Sequence, residues 1–129
     1  MSNVNIGDTV FFIDHWNGHI IRGTVESLLP EGANVHCDAI VDENGNKIED
    51  TYGTGGARFE KLYASAKDAY DAKKKLYEEA VKKYCDEIKT GADLISFPLT
   101  HCLCGEEYTD YPAIEAYKIR ARELAGVDL

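Results

Sequence analysis

An apolar run of the roughly 18 to 20 residues that would span a bilayer is missing from this sequence. The opening Met1-Ser2-Asn3-Val4-Asn5-Ile6-Gly7-Asp8 has neither a basic n-region nor an apolar h-region, so no secretory leader is expected and the cytoplasm is the expected compartment. Basic charge is also scarce, with 14 Lys and Arg against 23 Asp and Glu and a net charge of -9. Residues 1–64 carry 10 acids and 4 bases, or -6, and residues 65–129 carry 13 acids and 10 bases, or -3. Nucleic-acid binders draw affinity from Lys and Arg on phosphates, and anionic membranes repel acidic proteins, so both partners are disfavoured.

Other absences narrow the chemistry. Four cysteines (Cys37, Cys85, Cys102 and Cys104) without an export signal are expected to be reduced thiols rather than a disulfide framework. No Gly-x-Ser or Gly-x-Cys elbow is present, and Gly53-Thr54-Gly55-Gly56 has no following Lys-Ser/Thr and precedes no helix, so a P-loop is excluded. Repeats, low-complexity stretches and flexible linkers are lacking too. These features predict a non-enzymatic protein with no catalytic residues and no cofactor.

What is present changes period halfway along. Thr9–Ile13 and Ile20–Leu28 are rich in β-branched and aromatic residues, and Asn17-Gly18 between them suits a tight turn. Gly23 in the second run predicts a bulge. Over residues 35–41 the apolar Val35, Cys37, Ala39 and Val41 alternate with His36 and Asp38, which puts those four on one buried face. Asn44-Gly45 predicts a second turn, followed by a strand over residues 47–51, a glycine-rich loop at 52–56 and a short strand around Arg58-Phe59-Glu60. Five short strands in about 60 residues predict a small barrel.

Ser65 then offers an N-cap, and a long helix is expected to run to about Thr90 with Gly91 as its C-cap. Ala69, Leu76, Ala80 and Ile88 share one face, and Tyr63, Tyr70, Tyr77 and Tyr84 recur every seven residues as a stripe. Pro98 restricts the apolar stretch at residues 94–99 to a turn or a kink. A last helix is expected from near Asp110 to Gly126, burying Ile114, Tyr117, Ala121 and Leu124 and exposing Lys118, Arg120 and Arg122. The fold class is therefore α+β: a five-stranded SH3-like β-barrel over residues 1–63, then a helical region over 64–129 packed with it. That region comprises one long helix, a short broken segment and a terminal helix.

Ile6-Gly7-Asp8-Thr9-Val10 followed by Gly23-Thr24-Val25 resembles the opening of KOW- and SH3-like barrels, which share apolar-Gly-Asp-x-Val and then Gly-x-Val. The whole layout is similar to small bacterial and prophage proteins in which such a barrel precedes a helical tail, here ending Ala121-Arg122-Glu123-Leu124-Ala125-Gly126. The KOW resemblance implies binding to RNA or to transcription and ribosome proteins, and the acidic charge of this barrel runs against the RNA role.

Three candidate sites emerge. The turn His15-Trp16-Asn17-Gly18-His19 holds the lone Trp, with His15 and His19 beside it, and an exposed Trp near a barrel loop suits a protein or peptide partner. Folding of Trp16 over the barrel end is the competing reading. The stripe of Tyr70, Tyr77 and Tyr84 is either core with its hydroxyls at the edge or a docking face for a partner or a second copy of the chain. Cys85, His101, Cys102 and Cys104 offer a zinc donor set, although Cys-x-Cys is tighter than the usual chelating spacing; burial of the thiols as small hydrophobes is the alternative. Lys73-Lys74-Lys75 and Lys82-Lys83 read as the solvated face of the long helix, paired with Glu78, Glu79, Asp86 and Glu87.

Overall fold

The computed structural model describes residues 3–128. It is an α+β fold, an antiparallel five-stranded sheet followed by three α-helices. The strands are β1 Thr9–Ile13, β2 Ile20–Leu28, β3 Gly32–Val41, β4 Lys47–Asp50 and β5 Thr54–Arg58. The helices are α1 Ala66–Glu87, α2 Gly91–Thr100 and α3 Tyr111–Ala125, with 3-10 turns at Phe59–Lys61 and Tyr108–Asp110. Among the described residues no helix is long and apolar enough to cross a membrane. The chain forms two compact units, one of Gly18–Lys73 with the chain before His15, the other of His15–Asn17 with the chain from Lys74 on.

In the first unit the period-two pattern of β3 does what alternation demands: Val35, Cys37, Ala39 and Val41 are all buried while His36 and Asp38 face outward. The β2–β3 ladder slips between Arg22 and Gly23. A Cβ on Gly23 would collide with the Val35 side chain and lie 2.6 Å from the His36 carbonyl oxygen, so only glycine lets the two backbones approach. The turn after β3 closes on Asp42, whose carboxylate accepts from the N–H groups of Asn44 and Asn46 at 2.9 Å, while Gly45 supplies φ +86.

Two expectations for the sheet are corrected. The glycine-rich segment is not a loop: Gly55 and Gly56 pair with Val35 and Asn34 inside β5, and the strand expected around Arg58–Glu60 gives way at Phe59 to a 3-10 turn. The strands run β1-β2-β3-β4 with β5 also on β3, and the sheet is left unclosed. β4 pairs with the end of β3 and β5 with its start; Thr51 N–H to Asp38 O at 3.2 Å and Cys37 N–H to Gly53 O at 2.9 Å carry the ladder between them. The two short strands therefore act as one strand with a break, from which Tyr52 protrudes at 90% exposure. Past the 3-10 turn, Tyr63 exchanges backbone hydrogen bonds with Phe11 of β1, at 2.8 and 2.9 Å.

Two clusters fill this unit. One gathers Val4, Val10, Val25, Ala33, Val35 and Leu62; the other packs Ile20, Ala39 and Val41 against Ala66 and Ala69 of α1. Ser65 caps α1 as expected, its Oγ accepting from the Asp68 N–H at 3.1 Å. The buried face is shorter than the apolar pattern suggested, since Leu76 is 54% exposed and Ala80 half-buried.

In the second unit Gly91 is not the C-cap of α1. Thr90 and Asp93 form a reciprocal capping box, Asp93 N–H to Thr90 Oγ1 at 3.2 Å and Thr90 N–H to Asp93 Oδ2 at 3.1 Å, and Gly91 opens α2. The Asp93 carboxylate also accepts from Lys89 N–H at 2.9 Å, and these backbone donors hold its pKa below the ordinary range. Pro98 does not reduce the segment to a turn: it sits near the end of a ten-residue helix, and the missing donor costs the single bond that would reach the Leu94 carbonyl. Phe97, Ile88 and Ala113 form the core, flanked by Tyr84, Leu94, Leu103 and Tyr117. α3 buries Pro112, Ala113, Ala116 and Ala121, whereas Ile114 and Tyr117 are half-buried and Leu124 is exposed. Ala121 is buried as expected and Tyr117 packs against the core, but Pro112, Ala113 and Ala116 take the inward positions expected of Ile114 and Leu124.

Candidate functional site

The loop between α2 and α3 gathers the densest chemistry. His101 ends α2 with its N–H on the Phe97 carbonyl, and the chain then leaves the helix with bends at His101 and Cys104, residues 101 to 105 alternating half-buried and exposed. Leu103 turns inward against the Ile88, Phe97 and Ala113 core. Its neighbours Cys102 and Cys104 are both exposed, with their sulfurs 2.6 Å apart. After Gly105, Asp110 bends back to cap the 3-10 turn, accepting from the Glu107 N–H at 3.4 Å. The same carboxylate lies 3.8 Å from the Cys104 sulfur, and the three donor atoms all fall within 4.8 Å of one another.

This is not the zinc set read from the sequence. Cys102 and Cys104 come together, but Asp110 joins them in place of Cys85 and His101. The His101 ring stacks on Phe97 at 4.1 Å between centroids and meets Tyr84 edge-on at 5.3 Å. Its Nδ1 lies 2.9 Å from Thr100 Oγ1 and its Nε2 3.6 Å from the Glu87 carboxylate. Cys85 is half-buried, burial pushes its thiol pKa up, and its backbone carbonyl accepts from Arg120 Nε at 3.0 Å. Cys37 is buried under β5, and burial raises its pKa as well. Two thiolates on one tetrahedral zinc stand about 3.8 Å apart, so the closeness of the two sulfurs suits a metal poorly. Asp110 was invisible as a partner because the sequence marks it only as the start of a helix.

The tyrosine stripe resolves into separate contacts. Tyr70 donates its hydroxyl to the Val41 carbonyl at 3.1 Å, and the Lys73 ammonium sits 5.7 Å from its ring. Tyr77 packs against Tyr108 with centroids 6.0 Å apart; burial first, then a hydrogen bond to Glu115, drives its pKa far up. Tyr84 meets Phe97 edge-on at 6.0 Å. All three rings are half-buried against their own chain.

Trp16 lies on the turn between β1 and β2 with 55% of its surface exposed, and His15 and His19 are exposed beside it in sequence. Its carbonyl accepts the Tyr108 N–H at 2.6 Å. No protein-family model, curated protein or solved structure matches this chain.

Proposed function

We propose that the protein is a non-enzymatic binding module that takes a protein or peptide partner through the surface around Trp16. The observation that carries this reading is the exposure of the lone tryptophan on a turn whose backbone is held by Tyr108. A half-exposed Trp with a fixed backbone loses little entropy on docking and presents a large apolar face, the profile of a binding hot spot. The non-enzymatic reading is supported by the position of His101, which neighbours Cys102 in sequence but stacks on Phe97.

The reading includes an SH3-like arrangement of the strands, short of a closed barrel, in a cytoplasmic bacterial or prophage protein. Two features support that arrangement: β4 and β5 act as one broken strand along β3, and the Phe11–Tyr63 backbone pair brings the chain after β5 back to β1. The KOW-type nucleic-acid role has weaker support. Arg120 and Arg122 are engaged by Glu123 at 2.7 Å and Asp128 at 2.8 Å, within a chain of net charge -9.

Parallel affinity capture on the wild-type chain and Trp16→Ala tests the proposal. A polypeptide held by the wild type and weakened roughly 30-fold or more by the truncation, as for a hot-spot residue, supports it, provided the two circular dichroism spectra coincide. Equal retention by both proteins, or a native mass spectrum showing a dimer whose Trp16 is shielded from oxidative labelling, overturns it.

A further inference from the structure

We propose that Cys102 and Cys104 form a two-electron thiol–disulfide pair that exchanges with low-molecular-weight disulfides, independently of any partner at Trp16. The sulfurs stand 2.6 Å apart, and the bonded distance of about 2.05 Å lies only a small side-chain rotation away. Both side chains are exposed, so a disulfide reagent can reach them. Leu103 between them is anchored in the helical core, so the pair is aligned before it reacts. The other two thiols do not compete, because Cys37 is buried and Cys85 half-buried. The hydrogen bond between the two sulfurs raises the Cys102 pKa, so Cys102 is assigned the resolving role and Cys104 the attacking one.

The exchange balances in two steps. The Cys104 thiolate attacks one sulfur of a disulfide RSSR; the reagent's S–S bond breaks, a Cys104–SR bond forms and RS⁻ leaves. The Cys102 thiolate then attacks the Cys104 sulfur, the Cys102–Cys104 bond forms and a second RS⁻ departs. RSSR is reduced to two thiols, the pair is oxidised by two electrons, and its two protons pass to the released RS⁻ groups. Asp110 accepts from the Cys104 thiol in the reduced form and loses that donor on oxidation.

The test uses the full chain, reduced, transferred to oxygen-free buffer, treated with excess glutathione disulfide, and alkylated with N-ethylmaleimide in denaturant before peptide mapping. The expected result is a peptide carrying Cys102 and Cys104 that has lost two hydrogens, takes up no maleimide and is restored by dithiothreitol, while Cys37 and Cys85 are alkylated. Cys102→Ser removes the resolving thiol and accumulates the glutathione adduct on Cys104. Any of four results overturns the proposal: both cysteines alkylated after oxidant treatment, a wild-type chain that stops at the adduct, a disulfide mapped to Cys37 or Cys85, or co-purified zinc that blocks oxidation until chelated.

Discussion

The two units bury their apolar surface by different means. In the sheet unit the core is spread over many aliphatic side chains, with Val10, Ile20, Val25, Val35, Val41 and Leu62 all fully buried. In the helical unit one aromatic is central: Phe97 touches His101, Tyr84 and Tyr117 in stacked or edge geometry, and it shares its buried cluster with Ile88 and Ala113. Removing one aliphatic side chain from a distributed core leaves a smaller cavity than removing the ring on which three other rings pack. The reactive groups lie in the second kind of unit, on the loop that Leu103 pins to that ring cluster.

Truncating each centre tests this contrast most directly. Phe97→Ala is expected to cost about 4 kcal/mol and Ile20→Ala about 3 kcal/mol, read from urea unfolding monitored by circular dichroism. The ranking, not the absolute size, is the point: a larger cost at Ile20 would mean that the helical core is better supported than a single ring implies. Amide hydrogen exchange on the same variants should show increased opening in β2 and β3 for Ile20→Ala and in α2 and α3 for Phe97→Ala.

A polar tie comes next in size. Tyr70→Phe removes the hydroxyl that donates to the Val41 carbonyl and is expected to cost about 1 kcal/mol, again by urea unfolding. If that variant were neutral, the attachment of α1 to the sheet unit would rest on apolar packing, that of Ala66, Ala69 and the Tyr70 ring.

The smallest effect is a pH dependence at the start of α2. The Asp93 carboxylate is stabilised in its charged form by the N–H groups of Lys89 and Thr90, so its folded pKa lies below the unfolded one. Such a group stabilises the fold above its unfolded pKa, about 4, and that contribution is lost as pH falls through the lowered folded value. Asp93→Asn is therefore less stable than the wild type near neutrality, and the gap closes as pH drops below about 4. Thermal midpoints of both proteins across acidic pH check this, and a gap that stays constant would remove the charge from the explanation.

Local pattern was enough wherever neighbours in sequence decide the outcome. The buried face of β3, the bulge at Gly23, the turn at Gly45 and the Ser65 cap of α1 were legible because alternation, backbone approach, positive φ and capping each act within a few residues or a single strand pair. Two local signals competed at Thr90-Gly91, and the capping box with Asp93 prevailed over a glycine C-cap because it satisfies two backbone donors at once. The glycine run at residues 53–56 read as a loop, since nothing in its composition reveals that β3 is long enough to pair with a second strand segment there.

The candidate site divides the same way. The sequence alone sets Cys102 and Cys104 one residue apart, and the bends at His101 and Cys104 bring their sulfurs together. Only the tertiary structure sent His101 into the aromatic stack, kept Cys85 apart and brought Asp110 back to the sulfurs. Those placements depend on Phe97 and Leu103 packing with Ile88 and with Ala113 of α3, and contacts between separate elements have no periodicity for a sequence to display.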